Sequence, residues 1–209
     1  MSKTRLIVLA TRNSGKVREI RQVLSGLPVR VAGLERFGNI PEPPEDQPSF
    51  AANARHKALY YAGATGKWCL ADDSGLEVDD LGGRPGVRSS RYAADECPPH
   101  ADREEIDRAN NAKLLKALED IPDNRRTARF ICHLALADER RILIETFDTI
   151  EGRIAREPAG RNGFGYDPLF WVPALGCTTA QLSLRRKNDI SHRGKAVRHF
   201  ARLLKTFLG

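Results

Sequence analysis

The sequence predicts an α/β protein built on a mixed β-sheet, and three observations support this fold class. Leu6–Ala10 is a continuous apolar run rich in β-branched residues, typical of a strand buried on both faces. Apolar residues then recur at helical spacing from Val17 to Leu27, which predicts a helix directly after that strand. Farther along, Arg129–Ala137 and Ile142–Ile150 resemble two strands joined by a short polar turn. Strand–helix alternation followed by a hairpin predicts both parallel and antiparallel strand pairs.

The remaining elements are predicted from capping residues, chain breakers and apolar spacing. Ser49 is a candidate N-cap for an alanine-rich helix that Gly63 ends. Trp68–Ala71 indicates a buried strand that stops at Asp72-Asp73. Apolar patterns predict three further elements: a helix over Asp102–Leu118, a strand over Leu169–Val172 and a C-terminal amphipathic helix over Ala196–Phe207. No linker or repeat divides the 209 residues, so one folding unit with no independent domains is expected.

The composition is that of an ordinary globular protein. Hydrophobic residues make up 41% and charged residues 29%, which excludes a fibrous or largely disordered chain. The net charge of +7 allows nucleic acid, an anionic membrane surface or a nucleotide as partner. Leu6–Ala10 is too short for the core of a signal peptide, and no stretch approaches the roughly 18 apolar residues of a membrane span. Four widely spaced cysteines without a Cys-x-x-Cys pair favour reduced thiols, so a cytoplasmic protein is expected.

Two polar stretches follow predicted buried strands. Thr11–Lys16 lies between the first strand and the first helix, where backbone N–H groups, a helix N-terminus and Lys16 suit phosphate; an ordinary strand-to-helix turn is the alternative. It lacks the ending of a Walker loop. Adjacent Asp72 and Asp73 are costly at the end of a buried strand unless they bind a cation or hydrogen-bond donors. Because consecutive strand residues point to opposite faces, one aspartate alone should face a cleft easily; a solvated turn is the alternative.

Two later stretches suit a nucleotide base. Gly160–Pro168 carries three glycines that let a backbone approach a ligand, aromatic faces at Phe164 and Tyr166, and the acceptor Asp167. A hairpin connector would have the same composition. Lys187–Arg193 gathers lysine, histidine and arginine around Ser191, a candidate N-cap of the last helix. Basic residues near a cap are frequent, so this stretch alone is a weak signal.

Taken in order, these stretches resemble the inosine triphosphate pyrophosphatase family, also known as noncanonical purine NTP pyrophosphatases. The resemblance covers essentially the whole chain and rests on these segments: Leu9–Lys16, Ala71–Leu76, Pro85–Ala93, Gly163–Phe170, and Lys187-Asn188 with Ser191-His192-Arg193. It implies a homodimer whose subunits have an elongated, twisted mixed sheet flanked by helices, with the active site in a cleft between two lobes. The implied reaction is hydrolysis of ITP, dITP or XTP to the monophosphate and pyrophosphate, which would clear these nucleotides from the pool.

The resemblance also implies a role for individual residues. Asp73 would be metal ligand and proton acceptor. The residues that would bind the nucleotide are Thr11, Arg12, Asn13, Ser14, Gly15, Lys16, Ser74, Phe164, Gly165, Tyr166, Asp167, Lys187, His192 and Arg193. A donor from His192 or Arg193 aimed at the 6-keto oxygen would reject ATP, because adenine has an amino group there and leaves the donor unpaired.

Magnesium is the expected cofactor, because it offsets triphosphate charge and binds through few carboxylates. Asp73 is the first candidate ligand, followed by Glu45 in a proline-rich acidic loop, Pro41–Pro48, and by Asp72. The chain departs from the family pattern at Ala52, where a glutamate is usual, which shifts the metal site toward Asp73 and Glu45. It departs again at Arg185 and Arg186, where acidic residues are usual, and this change would alter the lip of the base pocket or the affinity for polyphosphate.

Two other interpretations fit parts of the sequence. One is a Maf-type pyrophosphatase, a related enzyme on a similar fold that acts on modified pyrimidine nucleotides. The other is a noncatalytic nucleic-acid-binding protein that uses the +7 charge, and its binding would weaken steeply with salt. The second interpretation leaves Asp72 and Asp73 without a purpose, so neither a stable nucleic-acid complex nor a membrane partner is expected.

Overall fold

The computed structural model describes residues 5–209, and it confirms the predicted α/β class. The helices within this range are α1 (Ser14–Leu24), α2 (Phe50–Thr65), α3 (Arg103–Ala117), α4 (Leu184–Ile190) and α5 (His192–Leu208). The strands are β1 (Arg5–Leu9), β2 (Val29–Gly33), β3 (Trp68–Val78), β4 (Thr127–Ala137), β5 (Ile142–Ile154), β6 (Phe170–Val172) and β7 (Cys177–Thr178). Short 3₁₀ turns connect several of these elements.

The strands form one sheet in the order β2-β1-β3-β4-β5-β6-β7. β1 pairs in parallel with both β2 and β3, while β6 pairs antiparallel with both β5 and β7. The predicted mixed sheet is therefore confirmed. β4 and β5 are joined by Asp138–Arg141, where Asp138 caps the turn by accepting hydrogen bonds from the backbone N–H groups of Arg140 and Arg141, both at 2.9 Å.

The chain folds into two compact units. The first unit comprises residues 5–73, 132–148 and 192–209, and the second unit comprises residues 74–131 and 149–191. In the first unit, Ile7 and Leu9 pack into one apolar cluster and Val8 and Ala10 into another, as expected for a strand buried on both faces. The second unit has its own apolar core, which includes Leu76, Leu114, Leu118, Leu169 and Phe170. The expectation of one folding unit without independent domains stays a prediction.

Several predicted element ends were wrong. α1 ends at Leu24 rather than at Leu27, and β5 continues to Ile154 rather than ending at Ile150. α2 does not stop at Gly63 but continues to Thr65, and Gly66 ends it in the left-handed conformation, with φ of 63°. β3 does not stop before Asp72-Asp73 but continues to Val78, so both aspartates lie within the strand. The strand continues because both carboxylates find cationic partners in the folded chain, which removes the cost of burying them.

The predicted starts of α2 and α3 agree with the structure. Ser49 caps α2, since its Oγ accepts a hydrogen bond from Ala52 N at 3.2 Å. Asp102 caps α3 in a capping box with Glu105. The expectation that the N-terminus is no export signal concerns partly residues 1–4, which lie outside the described range. Within residues 5–209, no helix has the length and apolarity needed to cross a membrane.

Candidate active site

The Thr11–Lys16 loop connects β1 to α1 and is shaped by its own side chains. Asn13 caps the helix, because its Oδ1 accepts hydrogen bonds from Gly15 N at 2.9 Å and Lys16 N at 3.1 Å. Thr11 Oγ1 in turn accepts a hydrogen bond from Asn13 N at 3.2 Å. The loop thus presents the positive end of α1 at the carboxyl end of a buried strand. This arrangement suits an anion such as phosphate.

Asp72 lies in β3 at 2% exposure and is surrounded by donors. Its Oδ1 contacts the Lys16 ammonium, and its Oδ2 accepts hydrogen bonds from Arg193 Nε and Cys132 Sγ, both at 3.0 Å. Burial alone would raise the pKa of Asp72, but Arg193 and Lys16 hold that pKa well below its ordinary value. Asp72 is therefore a buried anion that fixes the direction of the Lys16 side chain.

Arg193 is the second cation of this network and, unlike Lys16, it is buried. Its side chain is 3% exposed, and its Nη1 also contacts the equally buried carboxylate of Glu19 in α1. Burial by itself would lower the pKa of Arg193, but Asp72 and Glu19 raise it, so the guanidinium stays charged. The structure thus binds Arg193 to two carboxylates of the first unit. This geometry favours a role in holding Asp72 over the expected contact with a base.

Asp73 has a different set of partners from its neighbour. Its Oδ1 accepts a hydrogen bond from Lys57 Nζ at 2.9 Å, and its Oδ2 accepts one from Asn53 Nδ2 at 3.1 Å. The two adjacent aspartates share no cation among these contacts, as the alternation of side chains along a strand requires. Burial raises the pKa of Asp73 above its ordinary value, although Lys57 and Lys16 partly oppose this shift. A carboxylate with a raised pKa is suited to accept a proton.

Sequence reasoning missed Lys57 and Asn53. Both lie on α2, four residues apart on one face of the helix, and both bind Asp73. Lys57 is 9% exposed and also contacts Glu45 of the acidic loop. Burial lowers the pKa of Lys57, but the charges of Asp73 and Glu45 outweigh burial and raise it. The available signal was two polar residues at helical spacing in an otherwise alanine-rich helix.

The contacts of Lys57 test whether these residues suit a magnesium ion. Its ammonium group is shared by the carboxylates of Glu45 and Asp73, so two carboxylates converge on one cation. No group of three or more metal-binding side chains occurs in the described part of the chain. Magnesium characteristically binds through one or two carboxylates and retains waters, so this pair fits. Asp72 is engaged elsewhere, and the first turn of α2, which contains Ala52, carries no acidic residue.

The second unit contains a cluster around Asp167. Its carboxylate accepts hydrogen bonds from Phe164 N at 2.8 Å, Thr179 Oγ1 at 2.8 Å and Lys187 Nζ at 2.6 Å. The same ammonium lies 4.9 Å from the centre of the Phe164 ring. Gly163 has φ of 81°, and a Cβ there would come within 2.0 Å of Asp167 Oδ2, so only glycine fits. Phe164 is partly exposed and offers a face to a base.

Tyr166 does not offer the ring face that its sequence position suggested. It is 4% exposed, packs into the core of the second unit and donates a hydrogen bond from its hydroxyl to Ser89 O at 2.9 Å. Gly165 N donates to Asp107 Oδ2 at 2.8 Å, which anchors the loop to α3. The glycine-aromatic loop is thus fixed by Tyr166 and Gly165, and Phe164 remains the accessible ring.

The predicted site residues divide between the two units. The first unit contains Thr11–Lys16, Glu45, Asp72, Asp73, His192 and Arg193. The second unit contains Ser74, Phe164–Asp167 and Lys187. Ser74 is half-buried in β3, and His192 is the first residue of α5 at 5% exposure. Ser191 directly precedes α5, as expected from its sequence, and it also ends α4.

Comparison with known proteins identifies close similarity over the whole chain. The Ham1 family model matches residues 7–203. The dITP/XTP pyrophosphatase of Geobacter sulfurreducens is 47% identical over 206 residues, which cover 99% of this chain and 97% of that relative. The dITP/XTP pyrophosphatase of Pseudomonas aeruginosa is 46% identical over 213 residues, which cover both chains completely.

Solved structures show the same similarity. A HAM1 protein from Coxiella burnetii is 40% identical, with a TM-score of 0.84, over 97% of this chain and 100% of that one. A nucleoside-triphosphatase, also named dITP/XTP pyrophosphatase, from Mycobacterium abscessus is 37% identical, with a TM-score of 0.70, over 98% of each chain.

Proposed function

Since this chain belongs to the Ham1 family, we propose how its residues divide the work of a noncanonical purine nucleoside triphosphate pyrophosphatase. The chain is a hydrolase that acts on the anhydride bond of dITP, XTP and related nucleotides. The relatives support this activity over a Maf-type enzyme for pyrimidines and over a noncatalytic nucleic-acid-binding protein. The roles that we assign to these residues rest on one observation: Lys57 contacts both Asp73 and Glu45.

The triphosphate is bound by the Thr11–Lys16 loop and its neighbours. The N-terminus of α1 and the Lys16 ammonium supply positive charge where the strand β1 ends. The buried carboxylate of Asp72, which also binds Arg193, contacts the Lys16 ammonium and holds that side chain in place. Asp73 and Glu45 would hold magnesium, which when bound offsets phosphate charge and stabilises the charge that develops at phosphorus.

Asp73 is the proton acceptor of the reaction. The oxygen of water bonds to one phosphorus of the α–β anhydride, the bridging P–O bond breaks, and the monophosphate and pyrophosphate separate. The proton that the water releases passes to the Asp73 carboxylate. Burial favours this role because it raises the pKa of Asp73. Lys57 and Asn53 orient the carboxylate by donating to its two oxygens, at 2.9 Å and 3.1 Å.

The base is recognised by the cluster in the second unit. Phe164 provides a ring face, and Lys187, fixed by Asp167, provides a donor and a positive charge for keto oxygens of hypoxanthine or xanthine. Adenine presents an amino donor where these bases present a keto acceptor, which disfavours ATP. His192 is kept as a further candidate donor from the first unit.

The protein is also proposed to be a cytoplasmic homodimer with magnesium as cofactor. The sequence resemblance supports the dimer, and large apolar side chains on the surface agree with it, among them Phe147 at 61% exposure. Four free cysteines, two of them buried, agree with a reducing compartment. Light scattering in solution measures the dimer directly.

The function is tested by incubating the purified protein and magnesium with ITP, dITP, XTP, ATP, GTP and a modified pyrimidine triphosphate. Pyrophosphate should be released from ITP, dITP and XTP. Release of orthophosphate, or equal turnover of ATP and ITP, would contradict the proposal. Asp73→Asn should abolish turnover while nucleotide binding largely persists, because the lost group acts in the chemical step. Asp79→Asn is the matched control, since Asp79 is a 43% exposed partner of Arg129.

A further inference from the structure

The side chain of Arg12 links two loops of the first unit. Its Nη2 donates to Ile40 O at 2.6 Å and to Asn39 Oδ1 at 3.3 Å, just before the acidic loop. Its Nε lies 3.5 Å from Glu42 Oε1, inside the acidic loop. Arg12 belongs to the Thr11–Lys16 loop, yet these three contacts direct its guanidinium to the acidic loop. The backbone of Arg12 is therefore left to bind phosphate, while its side chain binds the acidic loop and the two residues before it.

The acidic loop depends on such side-chain contacts. Four of its eight residues, Pro41–Pro48, are prolines, which lack an N–H and stiffen the backbone without bonding it to the rest of the chain. Near its other end, Gln47 N donates to Asn53 Oδ1 at 3.1 Å, and Glu45 contacts Lys57. Side chains from the Thr11–Lys16 loop and from α2 thus hold the two ends of the acidic loop.

The residues at the second attachment also bind the catalytic carboxylate. Asn53 donates to Asp73 and accepts from Gln47, while Lys57 joins Asp73 to Glu45. A loop fixed at this end alone could pivot and carry Glu45 away from Asp73. Attachment at residues 39–42 removes that freedom. A planar guanidinium makes all three contacts of Arg12 at once, which a lysine ammonium cannot reproduce.

We propose that Arg12 is a positioning residue that clamps the acidic loop against the Thr11–Lys16 loop and thereby keeps Glu45 beside Asp73 for the metal ion. The inference rests on the proposed function, in which these two carboxylates hold magnesium.

The test compares Arg12→Ala and Arg12→Lys with the unmodified protein. Hydrogen exchange over residues 38–48, without nucleotide or metal, measures the clamp itself and should be faster in both variants. Mn²⁺ binding to the nucleotide-free protein, followed by the electron paramagnetic resonance of free Mn²⁺, should weaken by about three- to tenfold, as for the loss of one or two exposed hydrogen bonds. The magnesium concentration for half-maximal turnover should rise similarly, and the KM for ITP at saturating magnesium should change less.

Arg21→Ala is the matched control. Arg21 is also a surface arginine of the first unit, with 46% of its side chain exposed as in Arg12, and it contacts Glu35 at 3.7 Å. This variant should leave loop exchange and Mn²⁺ binding unchanged.

Two outcomes would overturn the inference. Unchanged exchange over residues 38–48 with unchanged Mn²⁺ affinity would show that Arg12 does not hold the loop. An increase in the KM for ITP with unchanged metal dependence would show that the side chain binds phosphate directly. Failure of the unmodified protein to hydrolyse ITP would instead contradict the proposed function, and the exchange experiment would still decide whether the clamp exists.

Discussion

Replacement of Asp72 by asparagine removes the one negative charge that the partly exposed Lys16 and the buried Arg193 share. The Asp72 side chain is fully buried, contacts the Lys16 ammonium and accepts from Arg193 Nε at 3.0 Å. Asparagine has nearly the same shape, so the change acts through charge. In the variant, Arg193 keeps Glu19 as a partner, whereas Lys16 keeps the main-chain oxygen of residue 72, at 3.4 Å.

The loss of unfolding free energy in Asp72→Asn depends on which partners Lys16 and Arg193 keep. Breaking a buried ion pair by removing one partner costs about 3–5 kcal/mol, because the other charge stays buried without compensation. Glu19 still neutralises Arg193, and Lys16 is 15% exposed, so the lower end of that range applies. For a chain of this size, about 3 kcal/mol corresponds to a fall in Tm of roughly 6–12 °C.

The destabilisation caused by Asp72→Asn should become smaller at low pH. The pKa of Asp72 is held well below its ordinary value in the folded protein, against about 3.9 in the unfolded chain. A depressed pKa contributes stability that is fully present above the unfolded value and is lost as pH falls toward the folded value. The difference in unfolding free energy between the unmodified protein and Asp72→Asn should thus stay constant from pH 8 to 5 and narrow below about pH 4.

Urea unfolding of both proteins between pH 8 and 3 measures this difference. Asp79→Asn serves as the control, because Asp79 also contacts an arginine at 2.9 Å but is 43% exposed, and it should cost less than about 1 kcal/mol. A cost below about 1 kcal/mol for Asp72→Asn at pH 7 would refute the buried network as a stabilising charge pair. A difference that already narrows between pH 7 and 5 would refute the depressed pKa.

Two further predictions concern the second unit. Arg126→Ala should lower the free energy of unfolding in urea by about 3 kcal/mol or more, because this 2% exposed guanidinium donates to three main-chain carbonyls at 2.6–3.1 Å. Arg125→Ala, at a 63% exposed site, should cost under about 1 kcal/mol, and equal costs for the two variants would contradict a stabilising role for these three hydrogen bonds. The double variant Arg185→Glu, Arg186→Glu should lower kcat/KM for XTP relative to ITP by about threefold at about 0.1 M salt, since the base of XTP is anionic at neutral pH and that of ITP is neutral. This magnitude takes the charges to be roughly 10 Å apart and screened over a Debye length of about 10 Å. Both arginines are exposed beside buried Lys187, and a ratio that does not change would exclude their influence on base choice.

Local patterns were sufficient for most of the fold. The apolar run at Leu6–Ala10 predicted a strand buried on both faces because such runs have no solvated side, and β1 packs into two clusters. Asp72-Asp73 misled the prediction of β3, since two aspartates followed by Ser-Gly are typical of a turn. The cations that neutralise them come from α1, α2 and α5, which no local pattern could reveal.

In the candidate site, too, local sequence predicted some residues, whereas others depend on contacts between distant parts of the chain. The Thr11–Lys16 loop and Asp73 were predicted because each lies next to a buried strand in the sequence, where ligands bind in α/β sheets. Lys57 was missed because its relevance depends on Glu45 and Asp73, which lie 12 and 16 residues away along the chain. Arg12 was expected to contact phosphate, and its contact with residues 39–42 depends on how the acidic loop folds back.

By itself, the sequence determined the α/β class, the order of most strands and helices, and the residue types proposed to bind phosphate, metal and base. It did not predict β2, α4 or β7. The predicted features follow from local spacing and from chemistry that neighbouring residues share. Only the tertiary structure decided which charges meet: Asp72 with Lys16 and Arg193, and Asp73 with Lys57. Ionic partners are chosen by distance in space and by burial, and both depend on the packing of elements far apart in the chain.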